Sequence, residues 1–167
     1  MDKIEQRHKA RTFNTPLEAG LRVVSILGAA YPRTFDLQRL IAFDYLLVHT
    51  GDIGGPESLH PPSPLHSAEM LVRRELIEQA LLLMITRELV ERQVDESGLR
   101  YAAGDNAAPF LASLESDYLR ALKQRAGWLI AALADYTDDQ FQRTMRSFFD
   151  RWVEEFQAAE QSLGTAP

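Results

Sequence analysis

The sequence predicts a mainly α-helical protein with a winged-helix core, meaning a helix-turn-helix followed by a β-hairpin wing, and with a C-terminal helical extension. Two observations predict this fold. Apolar residues recur at helical spacing over three successive segments, and a short hairpin pattern with an acidic-glycine turn follows them. We expect a flexible N-terminal arm over residues 1–12, the winged-helix domain over 13–104, the helical extension over 105–163 and a frayed tail over 164–167.

The first predicted helix begins with a capping box, in which Thr15 caps the helix and Glu18 reaches back to it. Pro16 suits the first helical position, and Pro32 ends the helix. The second predicted helix begins near Thr34 or Asp36 and ends at His49. Its apolar residues lie on more than one side, so we expect it to be buried on most sides.

The segment from Gly51 to His66 contains four prolines, three glycines and two histidines. This composition predicts no regular secondary structure. The segment is longer than an ordinary connection between helices, which indicates that it is either functional or mobile. Four prolines restrict the unfolded chain, and that favours an ordered loop.

A third helix is predicted from about Ser67 to Leu89. The spacing of the apolar residues then changes from that of a helix to that of a strand. Residues 89–94 and 99–103 have the pattern of two strands, with a turn at 95–98. A helix followed by a short hairpin is typical of a winged helix, and the three preceding helices supply its helix-turn-helix part.

Three helices are predicted after the wing. The first is short and is capped by Asp105 or Asn106. The second runs from about Ser116 to Tyr136, and the last begins with a capping box at residues 137–140. Aromatic residues widen the apolar stripe of the last helix. It either packs against the preceding helix or offers a surface to a partner helix or a second copy of the chain.

Composition and charge narrow the possible functions. The chain has 167 residues and a formal net charge of −6, which argues against a protein that coats nucleic acid by itself but leaves a local basic patch open. It contains no cysteine, which excludes disulfides and thiolate catalysis. The N-terminus has no apolar signal segment, and no apolar run is long enough to span a bilayer. We therefore expect a cytoplasmic protein with no membrane association.

The sequence contains no pattern that predicts an enzyme. His49, His60 and His66 are near one another in sequence, but no pair of ligands shares a helical face, so we expect no metal site. There is no Gly-x-Ser-x-Gly elbow and no Walker-type phosphate loop. We expect no catalytic residues and no cofactor.

Direct DNA binding is the alternative hypothesis, in which the chain is a winged-helix transcription regulator. The third helix carries Arg73, Arg74 and Arg87, but glutamates on the same helix largely cancel their charge. The tip of the wing, Asp95 and Glu96, would repel phosphate. The charge pattern therefore favours a solvated helix face over a DNA-reading one.

Several runs of the sequence resemble the middle component of bacterial ABC-three-component systems. They are Phe13–Arg22 (FNTPLEAGLR), Phe35–Leu40 (FDLQRL), Phe43–Asp52 (FDYLLVHTGD), Gly55–Pro61 (GPESLHP) and Val72–Ile77 (VRRELI). The resemblance extends from about Phe13 to about Leu133. It implies a non-catalytic subunit that bridges or regulates an SMC/Rad50-like ABC ATPase and an effector, often a nuclease. Such systems, with Lamassu as the named relative, are associated with defence against phage and plasmids, and DNA would be reached only through the complex.

We expect the contact surface for such partners to combine the 51–66 segment with the polar face of the third helix and the aromatic last helix. The expected contact residues are Asp44, His49, Asp52, Pro56, Ser58, Leu59, His60, Pro61, Glu69, Arg73, Arg74, Phe148, Trp152 and Phe156. In the alternative interpretation, Asp44, Asp52 and His60 hold the loop onto the core, and their mutation lowers stability. A homodimer is a further possibility that the sequence leaves open.

Overall fold

Helices make up most of the computed structural model, which describes residues 15–61, 67–148 and 150. In chain order the elements are α1 (Pro16–Ala30), α2 (Leu37–Val48), a 3-10 helix (Thr50–Ile53), α3 (Ser67–Thr86), β1 (Val90–Asp95), β2 (Gly98–Ala103), α4 (Ala107–Ala112) and α5 (Asp117–Leu133). Helical residues 138–148 form α6. The prediction of a mainly helical chain with a two-stranded antiparallel hairpin is confirmed.

Local capping signals begin three of the helices where the sequence predicts. The hydroxyl of Thr15 accepts the backbone N–H of Glu18 at 3.3 Å, and the Glu18 carboxylate accepts the N–H of Thr15. The same reciprocal pair joins Thr137 and Gln140 at 3.2 and 3.0 Å. Asp36 caps α2 by accepting the N–H of Arg39 at 2.8 Å. Each cap satisfies backbone donors that have no partner inside the helix.

Helix α2 is the centre of the core. Ten consecutive residues, from Arg39 to Val48, are buried, which confirms the prediction that this helix is covered on most sides. Helices α1, α3 and α5 all pack against it. The core continues across the expected domain boundary at residues 104–105, because Leu122 and Leu129 of α5 and Phe141 of α6 belong to the same cluster of buried apolar residues.

The hairpin is joined to the start of α2. Its register pairs Val90 with Ala103 and Asp95 with Gly98, around the predicted turn. On the outer edge of β2, Tyr101 exchanges two backbone hydrogen bonds of 2.9 Å with Phe35, which precedes α2. Most of β1 is exposed, so the hairpin extends from the core into solvent.

Three local predictions are corrected. Helix α3 ends at Thr86 rather than Leu89, because Glu88 adopts a left-handed backbone angle, φ 58°, that a helix cannot continue. Asn106 occupies the N-cap position of α4 without a capping bond, since its side chain donates to the Glu88 carboxylate at 3.2 Å. Residues 50–53 form a 3-10 helix where no regular structure is predicted, and Gly54 ends it at φ 77°.

Burial along α3 yields a first testable prediction. Ile77 is fully buried, whereas Leu82 on the same helix is 61% exposed. Replacing Ile77 with alanine should lower the free energy of unfolding by about 2–5 kcal/mol, because the cavity adds to the lost burial. The matched change Leu82→Ala should stay within about 0.5 kcal/mol of wild type. Urea unfolding measures both, and equal effects would contradict the packing of α3.

Candidate partner-binding site

A buried ion cluster lies beneath the loop that the sequence singles out. Asp44 on α2 has no exposed surface, and its carboxylate accepts from Nε and Nη2 of Arg22 on α1 at 2.6 and 3.4 Å. Arg73 on α3 donates from Nη1 to Oδ2 of the same carboxylate, the oxygen that Nη2 of Arg22 also contacts. One carboxylate therefore joins three helices, and removing charges from water at this site is tolerable only while they stay paired.

The pKa of Arg22 reflects its place in this cluster. Burial acts to lower the pKa of the Arg22 guanidinium, but the neighbouring Asp44 carboxylate outweighs it and the pKa is raised overall. The guanidinium of Arg73 also lies over the Tyr45 ring, 5.3 Å from its centroid. Such cation–aromatic contact adds to the ion pair in fixing Arg73 against α2.

Two histidines connect this cluster to the loop. His49 ends α2, is 3% exposed and packs on Tyr45 with 4.3 Å between ring centroids. Its ring lies edge-on to that of His60, whose Nε2 is 2.9 Å from the hydroxyl oxygen of Tyr118 on α5. The pKa of both histidines is lowered to about 4, mainly by burial, with a further contribution to that shift from Arg73 for His49 and from Arg22 for His60. Both rings are therefore neutral at pH 7.

Residues 50–61, hereafter the docked loop, are held in shape by their own hydrogen bonds. The Thr50 hydroxyl donates to the carbonyl of Pro56 at 2.7 Å, and the Ser58 hydroxyl accepts the N–H of Gly51 at 3.0 Å. The N–H groups of Leu59 and His60 both donate to the last carbonyl of α2, Val48, at 3.1 Å. The loop is thus a folded unit, as the proline content favours.

Helix α5 supports the docked loop from the side. Arg125 donates to the carbonyl of Glu57 through Nε and Nη2, at 3.2 and 2.9 Å. Gly55 lies so close to Trp128 that an added Cβ would be 2.5 Å from a ring carbon. Only glycine fits there without displacing the loop or the indole. The docked loop therefore bridges the end of α2 and the C-terminal helices.

The structure places the predicted contact residues in three settings. Asp44 and His49 are buried, and Arg73 is part-buried with its guanidinium directed to the ion cluster. Asp52 and Pro61 are exposed. The half-buried members are Pro56, Ser58, Leu59 and His60 of the docked loop, and Phe148 of α6.

Arg74 is exposed on α3 and pairs with Glu78 at 3.4 Å. The side chain of Glu69, and Trp152 and Phe156, lie outside the part of the chain that the structure describes. The partner-contact role of the exposed residues stays a prediction. The docked loop and Arg73 lie around the C-terminal half of α2, whereas α6 contacts its first half, where the Arg39 guanidinium lies over the Phe141 ring.

Sequence reasoning missed four residues of this site, namely Arg22, Tyr118, Arg125 and Trp128. Only Arg22 carried a usable signal. It is a charged residue among the apolar positions of α1, and a buried charge requires a partner such as Asp44. The other three contact the docked loop across at least 58 residues of sequence, and no local pattern marks them.

Comparison with known proteins shows the family to which the chain belongs. The family model of the ABC-three component (ABC-3C) system Middle Component 2 matches residues 12–155. The chain therefore belongs to a family of middle components of ABC-three component systems. Within that class it is a member of the Middle Component 2 family, which confirms the resemblance noted in the sequence. No curated protein and no solved structure matches the chain.

Two further features concern the described residues. No helix in that part of the chain is long and apolar enough to cross a membrane. Nor do residues 15–61, 67–148 and 150 bring together three or more histidine, aspartate or glutamate side chains in a way that could hold a metal ion.

The ion cluster yields a second prediction. Asp44→Asn should lower the free energy of unfolding by about 3–5 kcal/mol, because it leaves buried guanidinium charge without its counter-charge. Asp52→Asn, an exposed aspartate of the docked loop, serves as the matched control and should change stability by less than about 0.5 kcal/mol. Urea unfolding at pH 7 measures both. If Asp44→Asn leaves the free energy of unfolding nearly unchanged, the cluster does not hold the helices together.

The histidines yield a third prediction. Their pKa is about 4 in the folded chain against an ordinary value of 6.5, so between these pH values the unfolded chain binds protons that the folded chain does not. The free energy of unfolding should therefore decrease as the pH falls from 6.5 to 4, with no histidine contribution above that window. His49→Gln and His60→Gln should each flatten this dependence in urea unfolding at pH 7 and pH 5. Unchanged slopes would refute the assignment.

Proposed function

We propose that this chain is a non-catalytic accessory subunit of a bacterial anti-phage and anti-plasmid defence complex. In that complex it bridges or regulates an SMC/Rad50-like ABC ATPase and its effector nuclease, within the cytoplasm. Membership of the Middle Component 2 family supports the assembly role, since a middle component works with the other components of its system. Arg22 and Arg73 each pair with Asp44 and join helices, so these charges have a structural role.

The proposed contact surface is supported by one observation, the fixed shape of the docked loop. Its backbone is fixed by internal hydrogen bonds and by Arg125, yet Asp52, Glu57 and Pro61 remain exposed. A preformed loop loses little conformational freedom on binding, so more of the contact energy appears as affinity. Arg74 on the adjoining α3 extends this surface with an exposed charge.

We also propose that residues 13–104 form a winged-helix domain. A helix, a single bridge at Phe35, two further helices and a hairpin follow in the order that a winged helix requires, and the bridge places Phe35 beside β2 as a third short strand. The exposed part of the hairpin carries Glu91 and Arg92 along β1, and Asp95 and Glu96 at the tip. The acidic tip would repel phosphate, which supports DNA contact through the complex rather than through this chain alone.

Co-purification with the ATPase tests the proposal. The chain would be co-expressed with any SMC-like ATPase that is encoded by an adjacent gene, and the two should co-elute from a sizing column. The double charge reversal Asp52→Lys and Glu57→Lys should weaken the complex by about tenfold or more, because both changed side chains lie on the exposed face of the docked loop. The matched control, Asp105→Lys and Glu115→Lys, changes the net charge equally at exposed sites elsewhere.

The outcomes separate the two hypotheses. Loss of co-elution for the loop variant alone, with wild-type thermal stability, supports the docked loop as the contact surface. Equal effects of the two double variants would place the contact elsewhere. A wild-type chain that fails to co-elute, and instead shifts a DNA duplex with steep salt dependence, would favour the transcription-regulator alternative.

A further inference from the structure

Strand β1 has backbone hydrogen-bonding groups along both edges, and β2 covers one of them. Tyr101 of β2 uses its N–H and C=O on Phe35, so it does not exchange hydrogen bonds with Arg92, which lies opposite it on β1. Hydrogen-bonded and non-hydrogen-bonded positions alternate along an antiparallel pair. The N–H and C=O groups of Arg92 and Val94 therefore point away from β2. Among the residues that the structure describes, no backbone hydrogen bond outside the hairpin uses either residue.

An apolar pair lies exposed beside this edge. Val94 and Leu99 are directly opposite one another and are 80% and 43% exposed. They share a face of the hairpin with Val90 and Tyr101, because side chains two residues apart on a strand lie on the same face. Val90 and Tyr101 are buried. The face that packs on the core at the base of the hairpin thus extends beyond the core at the tip.

The charges of β1 disfavour a second copy of the same strand at this edge. A two-fold antiparallel pair centred on Arg92 would place two guanidinium groups directly opposite one another. A pair centred on Gln93 would place Glu91 opposite Asp95 of the second copy, twice, and one centred on Glu91 would oppose two glutamates. Like charges directly opposite one another destabilise a strand pair.

The same charges define the strand that would fit. An added antiparallel strand should place basic side chains opposite Glu91 and Asp95, an acidic side chain opposite Arg92 and an apolar side chain opposite Val94. The apolar side chain would extend the row formed by Val94 and Leu99 and remove part of it from water. Backbone bonds would supply affinity, and the alternating side chains would supply specificity.

We propose that the outer edge of β1 binds an extended segment of a partner protein, with basic residues facing Glu91 and Asp95 and an apolar residue covering Val94. The hairpin is bridged to Phe35 before α2, whereas the docked loop follows α2. The strand-binding edge is therefore a second surface, and it does not depend on the contact proposed for the docked loop.

Amide hydrogen exchange of the full chain, followed by NMR, tests the proposal. The probe is the acetylated and amidated peptide Lys-Val-Thr-Glu-Lys-Val, which has the required pattern when it runs antiparallel to residues 90–95. Saturating peptide should slow exchange at the amides of Arg92 and Val94 by about tenfold or more, because these N–H groups gain partners. The amide of Gln93, which faces β2, should change little.

The control peptide Glu-Val-Thr-Lys-Glu-Val exchanges the charges and should bind about tenfold more weakly, since it places like charges opposite one another. Arg92→Pro removes an outward N–H without removing a bond to β2, and should weaken binding by about tenfold or more. Its matched control, Arg92→Gln, also loses the charge but keeps the N–H, and should weaken binding only a few-fold. Chemical-shift titration measures all four.

Protection of Arg92 and Val94 by the first peptide, with Gln93 unchanged, would establish strand addition, and this readout does not require the proline variant to fold. Equal weakening by Arg92→Pro and Arg92→Gln would show that the peptide contacts side chains alone and would overturn the proposal. Equal affinity for the two peptides, or no saturable binding, would also overturn it. Protection of the same amides in a dimer of the free chain, seen by sedimentation, would assign the edge to a second copy instead.

Discussion

The contact between the Asp44 carboxylate and the guanidinium groups of Arg22 and Arg73 is the constraint on which the rest of the structure depends. It lies at the meeting point of α1, α2 and α3, where water cannot solvate the charges. The helices must approach at the spacing and rotation that keep the charges paired, because an unpaired buried charge costs several kcal/mol. The cluster therefore specifies the relative position of the three helices more narrowly than apolar packing alone would.

The position of the docked loop depends on this cluster. His49 ends α2 beside Asp44, and His60 brings the loop back over it to meet Tyr118 on α5. Neutral histidines suit this place, since two guanidinium groups already supply positive charge. The result is a proline-containing surface whose backbone is fixed by contacts within the chain, which suits the contact role proposed for it.

Helix α2 organises both ends of the molecule. Near its C-terminal end it carries Asp44 and His49, which serve the docked loop. At its N-terminal end Arg39 reaches across to α6, where it stacks on Phe141 and bonds to Asp138. Both sets of contacts are therefore made by one element, whose residues from Arg39 to Val48 are buried.

The sequence by itself determined the features that depend on neighbours within a few residues. The capping boxes at Thr15 and Thr137, the turn before Gly98 and the burial of α2 follow from local hydrogen bonding and hydrophobic periodicity. The runs that mark the family are likewise contiguous stretches of sequence. The 3-10 helix at Thr50–Ile53 escaped prediction because the bond from Thr50 to Pro56 that accompanies it depends on the path of the whole loop.

Only the tertiary structure decided which side chains meet. Arg22 pairs with Asp44 across 22 residues of sequence, and Arg39 pairs with Asp138 across 99. The sequence placed Asp44 and His49 on a contact surface, whereas packing buries them. The physical reason is that pairing between elements depends on the angle and rotation at which helices pack. Those quantities come from the summed contacts of the whole core, and no short segment encodes them.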